Sequence, residues 1–386
     1  MKKLGICICY QHRNYGSQLQ SYATTAELKK RGIDFEIIRY KKKLNLKLII
    51  KLIPRLFNPV FLSDRVLIRY QKRFKLMLRP GLKKQNDIRN NRLAKFSKER
   101  FTALSPVYCG YDELCRASQK YDGVMVGSDQ LWAPGGITSN FYNLMFAPDK
   151  SVKISYATSF GVSQIEKKLH TVYSKFLSRM DYISVRENSG KKLVESLSDK
   201  TAEVVVDPVL LLTKDDWDRE IPCTRIYDQP YIFAYFLGKS SEYRNRVTEF
   251  ARKKGIKIVT THHMDSYNKA DENFGDIVSF DIGPAEFVNL IRNAEYVFTD
   301  SFHGSVFSVI YEKKFMVFDR YSNNSISSKN SRIDSFCTNY GLQSRRYEND
   351  IYAVENEINY TAVLDKVNEH RKISLAFLDR ALGDFA

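Results

Sequence analysis

Residues 300–305 read Asp300-Ser301-Phe302-His303-Gly304-Ser305 and follow a strand pattern at 295–299. A buried strand that turns into a helix here would aim free backbone N–H groups, and the positive end of the helix dipole, at an anion. Ser301 and Ser305 would add hydroxyl donors, and Gly304 would allow close backbone approach. His303 would bind an anion as imidazolium or exchange protons near neutral pH. The same residues also read as an ordinary helix cap beside a satisfied loop histidine.

Three more stretches carry usable groups. In Gly127-Ser128-Asp129-Gln130 a carboxylate at a strand end, next to an amide, could orient or deprotonate a sugar hydroxyl, or merely cap the next turn. Asn14-Tyr15-Gly16-Ser17-Gln18 occupies a first strand-to-helix turn, where doubly wound folds bind ligands. It is not G-x-G-x-x-G, so the dinucleotide fingerprint is absent. Arg186 directly follows an apolar strand and could grip a carboxylate or phosphate bidentately, or pair with Glu187. Arg320 and Arg332 flank a Ser/Asn-rich loop, 322–331, that could close over an anionic donor or be plain surface. Asp207-Pro208 reads as a structural turn. His170 and His370 read as surface residues. His262-His263 lacks an acidic partner at ligand spacing, so no metal site is expected.

The elements that must position these groups alternate regularly. An apolar run at 3–10, a helical pattern at 17–30 and a second strand pattern at 34–40 make a βαβ unit, hence a parallel sheet. Strands at 122–126, 152–158, 181–185 and 202–206 continue the rhythm. The polar stretch 213–229 suggests a division into 1–215 and 216–386. The second half restarts with strands at 231–237, 256–261 and 295–299 and ends in a helix at 354–382. Two α/β halves imply a cleft, with ligands beyond the strands' C-terminal ends.

Composition bounds the partners. The chain has 386 residues and a formal net charge of +17. Residues 41–100 hold 19 basic and 3 acidic side chains, which leaves 42 basic and 41 acidic in the remainder. The protein is therefore a near-neutral body with one basic insert. Leu44, Leu48, Leu52 and Leu56 recur every four residues beside Lys43, Lys47, Lys51 and Arg55, which predicts a basic amphipathic helix. No nucleic-acid module accompanies it, so a nucleic-acid partner is not expected. An anionic membrane face is the expected contact. No apolar run is long enough to span a bilayer, and the first residues read as a strand rather than a signal peptide. The six cysteines match neither a zinc pattern nor a disulfide framework, as in a reduced cytoplasmic protein.

Taken together, Asn14–Gln20, GSDQLW at 127–132, SYATSFG at 155–161, SVRENSG at 184–190, VVDPVLLL at 205–212 and TDSFHGSVFS at 299–308 resemble the polysaccharide pyruvyltransferase family, in that family's order. The resemblance implies two facing Rossmann-like domains, as in GT-B glycosyltransferases, here with a basic helical insert. It implies transfer of the enolpyruvyl unit of phosphoenolpyruvate onto a sugar of a bacterial surface polysaccharide (exopolysaccharide or capsule), closing a cyclic ketal. By matching position, His303 and Asp129 become the catalytic candidates. Arg186, Ser301, Gly304, Ser305 and Arg320 become donor-binding candidates. Asn14, Tyr15, Gly16, Gln18, Ser128 and Gln130 become acceptor-binding candidates. No metal or cofactor is implied beyond phosphoenolpyruvate as donor, and the acceptor would be a lipid-linked or nucleotide-linked sugar. The membrane contact would then place the enzyme on the inner face of the plasma membrane. A glycosyltransferase using a nucleotide sugar is the alternative.

Overall fold

A computed structural model describes residues 2–43, 80–262, 267–320 and 331–385. The amphipathic helix expected over 44–57 lies outside the described residues, as does His263. The first half runs β1 (Leu4–Cys7), α1 (Tyr15–Lys30), β2 (Phe35–Lys41), α2 (Pro80–Arg100), β3 (Leu104–Cys109), α3 (Tyr111–Ser118), β4 (Gly123–Asp129), β5 (Val152–Thr158), α4 (His170–Leu177), β6 (Tyr182–Val185), α5 (Asn188–Leu197) and β7 (Glu203–Val204). After α6 (Lys214–Glu220) come β8 (Tyr231–Tyr235), α7 (Ser241–Lys254), β9 (Lys257–Thr260), β10 (Ile277–Val278), α8 (Pro284–Asn293), β11 (Tyr296–Thr299), α9 (Phe302–Ile310), β12 (Lys314–Val317), α10 (Ser331–Tyr340) and α11 (Tyr360–Leu382).

The strands form two sheets, ordered β3-β2-β1-β4-β5-β6-β7 and β10-β9-β8-β11-β12. Every pairing between these strands is parallel. Both sheets reverse direction beside their first strand, so each has a crevice there: β1/β4 in one, β8/β11 in the other. Helices cover both faces, which is why the central strands are apolar on both sides: β1, β8 and β11 are buried throughout. This is the expected architecture of two facing Rossmann-like domains.

One apolar cluster joins the halves. It runs from Ile6 and Tyr156 through Tyr15 and Trp217 to Phe233 and Phe287. Tyr15 stacks on Phe287 at 4.9 Å, and its hydroxyl meets Thr261 Oγ1 at 3.3 Å. Two helices strap across this seam. In α2, Arg89, Leu93, Phe96 and Ser97 are buried, a stripe at helical spacing despite the helix's many charges. Arg89 donates to the Arg13 carbonyl at 2.8 Å and Ser97 to the Tyr10 carbonyl at 3.1 Å. Arg92 reaches the other half and pairs with Asp281. The last helix, α11, returns to the first sheet: Ser374 Oγ accepts from Val206 N–H at 2.9 Å, and Arg380 pairs with Glu203. Among the described residues no helix is long and apolar enough to cross a membrane. The six cysteines are unpaired.

Candidate active site

The two crevices face each other across a cavity of about 360 Å³. Its walls are the residues that follow the strands on both sides of each reversal. His12 and Asn14 come after β1, Asp129 and Gln130 at the end of β4, and Leu237 after β8. Ser301 and His303 come after β11, and Arg320 and Arg332 flank the segment after β12.

The turn carrying His303 is built locally. Ser301 caps α9, its hydroxyl accepting from Gly304 N–H at 3.3 Å. Thr299 Oγ1 accepts from Ser301 N–H at 3.0 Å. Asp300 braces the neighbouring turn, its carboxylate accepting from the N–H groups of Leu237 and Gly238 at 2.7 Å each. Burial pushes the Asp300 carboxyl up, against those two donors and the nearby Arg320 and Arg244. The first turn of α9, with N–H groups the cap does not use and the positive end of the helix dipole, borders the cavity.

Behind His303 lies a buried ionic cluster. His303 Nε2 is 3.6 Å from Asp207 Oδ2. The same oxygen accepts from Arg186 Nη1 at 2.5 Å, and Asp207 Oδ1 accepts from Val209 N–H at 3.0 Å. Glu187 Oε2 stands 3.8 Å from Arg186 Nε, and Ser159 donates to Glu187 Oε1 at 2.5 Å. Burial opposes the charge on Asp207, yet His303, Arg186 and the Val209 N–H together hold its carboxyl well below the usual range. The Arg186 guanidinium also lies 4.9 Å from the Phe302 ring.

Opposite stands Asp129, with a positive φ of 75°. Ser17 Oγ donates to its carboxylate at 2.7 Å, and Gln130 N–H does so at 2.8 Å. Burial again opposes ionisation, but Arg186, Arg332, the Ser17 hydroxyl and His303 keep this carboxyl low. Arg332 is half-buried beside Phe302; desolvation and the like charge of Arg186 bring it down to about 10, so it stays cationic at neutral pH. Cys9, His12 and Asp129 offer ligand-type atoms within 4.8 Å of one another. Burial, the Asp129 charge and Tyr142 act on Cys9, and burial dominates, so its thiol stays protonated.

The cavity thus gathers six of the residues given a role by the family resemblance, His303, Asp129, Ser301, Arg320, Asn14 and Gln130, together with Arg332 from the far side of the 322–331 loop. Arg186 is not brought to it. Its side chain is 4% exposed, committed to Asp207, and faces a separate void of about 30 Å³. The reason is that two strand-end carboxylates, Glu187 and Asp207, claim the guanidinium first. Ser305 donates to the Ser301 carbonyl at 3.1 Å, and a Cβ on Gly304 would lie 2.8 Å from Thr299 Oγ1, so both build the turn rather than line the cavity. Tyr15 is interdomain core. Gln18 donates to the His12 carbonyl at 3.1 Å, and Ser128 to the Ala157 carbonyl at 3.0 Å. Gly16 gives its place to the His303 ring: a Cβ there would lie 2.1 Å from Nδ1. Sequence reasoning missed His12 and Cys9 on the wall, gave Ser17 no role beyond its place in the first turn, and missed the role of Asp207. The usable signal was position, since Asp207 follows a strand as Asp129 ends one.

A polysaccharide pyruvyl transferase family model matches residues 14–323. The chain belongs to that family. The match takes in both crevices, from Asn14 through His303 to Arg320. No curated protein is recognisably similar in sequence. Among solved structures, the chain is similar to UDP-GlcNAc 2-epimerase from Neisseria meningitidis, at 11% identity and a TM-score of 0.47 over 97% of this chain and 100% of that one. It is also similar to a UDP-N-acetylglucosamine 2-epimerase from Listeria monocytogenes, at 9% identity and 0.49 over 99% and 91%. A third is MurG from Acinetobacter baumannii, at 9% and 0.44 over 99% and 100%.

The contact between Gly16 and His303 makes one prediction. Gly16→Ala forces the imidazole to move, and a displacement of about 1 Å at a reacting group costs roughly 100-fold in rate. We expect kcat for this family member's reaction to fall by about that factor. The overpacking also costs about 1–3 kcal/mol, read as a lower melting temperature. Unchanged kcat in a folded variant would show that the ring position does not matter.

Proposed function

We propose that this protein moves the enolpyruvyl unit of phosphoenolpyruvate onto a sugar of a bacterial surface-polysaccharide precursor, closing a cyclic ketal across two hydroxyls. One observation carries the reading beyond family membership. The cavity sets a histidine at a helix N-terminus, two arginines and an ionised aspartate around one space. The donor bears a carboxylate and a phosphate, which suit Arg320, Arg332, Ser301 and the start of α9. Asn14 and Gln130 would hold acceptor hydroxyls, next to Asp129. In the reaction C3 gains a proton, one acceptor oxygen bonds to C2, phosphate leaves, and the second oxygen bonds to C2. Of the two hydroxyl protons released, one balances the new methyl group and the other departs on phosphate. His303 and Asp129 would move them.

The test is incubation with phosphoenolpyruvate and a panel of lipid-linked and nucleotide-linked sugars. Pyruvyl mass addition together with acceptor-dependent phosphate release is expected. Phosphate release without an acceptor, or no product from any sugar, overturns the reading. The nucleotide-sugar alternative is weakened by Asp300, which already occupies the N–H donors of the turn after β8.

Basic residues 41–79 further suggest attachment to an anionic membrane face, at roughly 1 kcal/mol per basic side chain near the surface. The helix 80–100 is used otherwise, since it packs across the two halves. Neutralising the lysines and arginines of 43–79 is expected to release the protein from anionic liposomes in a sedimentation assay, with activity on a soluble acceptor kept. Continued co-sedimentation refutes the membrane contact.

A further inference from the structure

We propose that Asp207 is a positioning residue for the reaction: its carboxylate holds His303 with Nε2 protonated, and Nδ1 is the nitrogen that exchanges a proton with the ligand. The inference rests on the function proposed above. Four observations carry it. Nε2 is buried, makes no hydrogen bond and lies 3.6 Å from Asp207 Oδ2, slightly beyond hydrogen-bond range. A small movement of the ring closes that contact. Nδ1 is the ring atom nearest the place a Gly16 Cβ would take, on the side of the first strand-to-helix turn whose Asn14 and Ser17 line the cavity. Asp207 does not line the cavity, so it acts through the imidazole. Its other oxygen is pinned by Val209 N–H, and Arg186 fixes the shared one.

This is the logic of a base oriented by a third group. When Nδ1 takes a proton from an attacking hydroxyl, the imidazolium forms beside an ionised carboxylate that never itself accepts the proton. The proton leaves again on the departing phosphate, so the histidine is regenerated. The charged and titratable groups around the pair are Arg186 and Glu187 after β6, Asp129 at the end of β4, Tyr156 on β5, Arg332 and Tyr340 on α10, and His370 on α11. His370 donates to or accepts from the Tyr340 hydroxyl at 3.3 Å, which ties it to its own helix pair. Of these groups, Arg186 is the one bonded to the oxygen that faces His303.

The experiment uses the full chain labelled with 15N-histidine, the His303 signals being assigned by their loss in His303→Gln. The wild type is expected to show the neutral His303 ring as the Nε2–H tautomer. Asp207→Asn is expected to shift that population toward Nδ1–H and to lower kcat by roughly 10²–10⁴-fold, with KM within about twofold. Asp207→Glu should restore part of both. A predominantly Nδ1–H ring in the wild type overturns the proposal, as does full kcat in Asp207→Asn. The wild-type spectrum decides by itself if the asparagine variant does not fold. The expected spectrum without any transfer from phosphoenolpyruvate would refute the proposed reaction and leave the Asp207–His303 arrangement standing.

Discussion

His303→Ala is expected to lower the rate of pyruvyl transfer by roughly 10³–10⁴-fold while the protein keeps its fold. The rate loss follows from place and chemistry. His303 lies in the first turn of α9 on the wall of the cavity, facing Asp129 across it, and general acid–base groups contribute about 10²–10⁴-fold. The small stability change follows from its surroundings. The ring fills a polar wall rather than an apolar core, and Nε2 makes no hydrogen bond that truncation would break. Water can take its place. Removing a cation-capable group beside Asp207 does cost something, but Arg186 still neutralises that carboxylate. Acceptor-dependent phosphate release, measured alongside a melting curve, checks both halves. Transfer at the wild-type rate would remove His303 from the chemistry and with it the site assignment.

Much of this arrangement was legible in the sequence, and the boundary is physical. Strands such as 296–299 and 231–235 are buried on both faces, so they read as unbroken apolar runs, and their polar ends mark where ligands can sit. That rule placed His303, Asp129, Ser301, Arg320, Asn14 and Gln130. It could not say which neighbours point inward. On the first turn of a helix consecutive side chains fan out by about 100°, so Asn14 meets the cavity while Tyr15 enters the interdomain core. The same fan sends Ser305 back to the Ser301 carbonyl. β3 escaped notice because Pro106 interrupts a short edge strand, and α10 because its start adjoins a polar loop. For Arg186 the sequence offers an external anion or the adjacent Glu187; its hydrogen-bonded partner, Asp207, comes from a different strand end, so no local spacing points to it. Asp207 was read as a turn for the matching reason: its partner His303 belongs to the other sheet. Contacts across a domain seam leave no local spacing to read.

Arg186→Met should be the most destabilising single change at this site, by about 3–5 kcal/mol at neutral pH. Methionine matches much of the arginine stem, so the loss is electrostatic rather than a cavity. Arg186, Glu187 and Asp207 are all nearly inaccessible to water, with side-chain exposures of 4%, 2% and 0%. Breaking such a pair leaves carboxylates buried without a counter-charge, which is costlier than never having built the pair. The pH dependence separates this cause from simple misfit. In the wild type the folded-state values of Asp207 and Asp129 are depressed, in each case against burial: by His303 and Arg186 for Asp207, by Arg186 and Arg332 among others for Asp129. A depressed carboxyl contributes stability that is fully present above its unfolded value, about 3.9, and is lost as pH falls through the folded value. Without Arg186 both carboxyls rise and that contribution shrinks. The stability gap between wild type and Arg186→Met is therefore expected to be widest from about pH 5 upward and to narrow as pH falls below about 4, where the stranded carboxylates take up protons. Urea unfolding at pH 7 and at about pH 3 measures it. An equal gap at both values would mean that packing, not charge, is what Arg186 supplies.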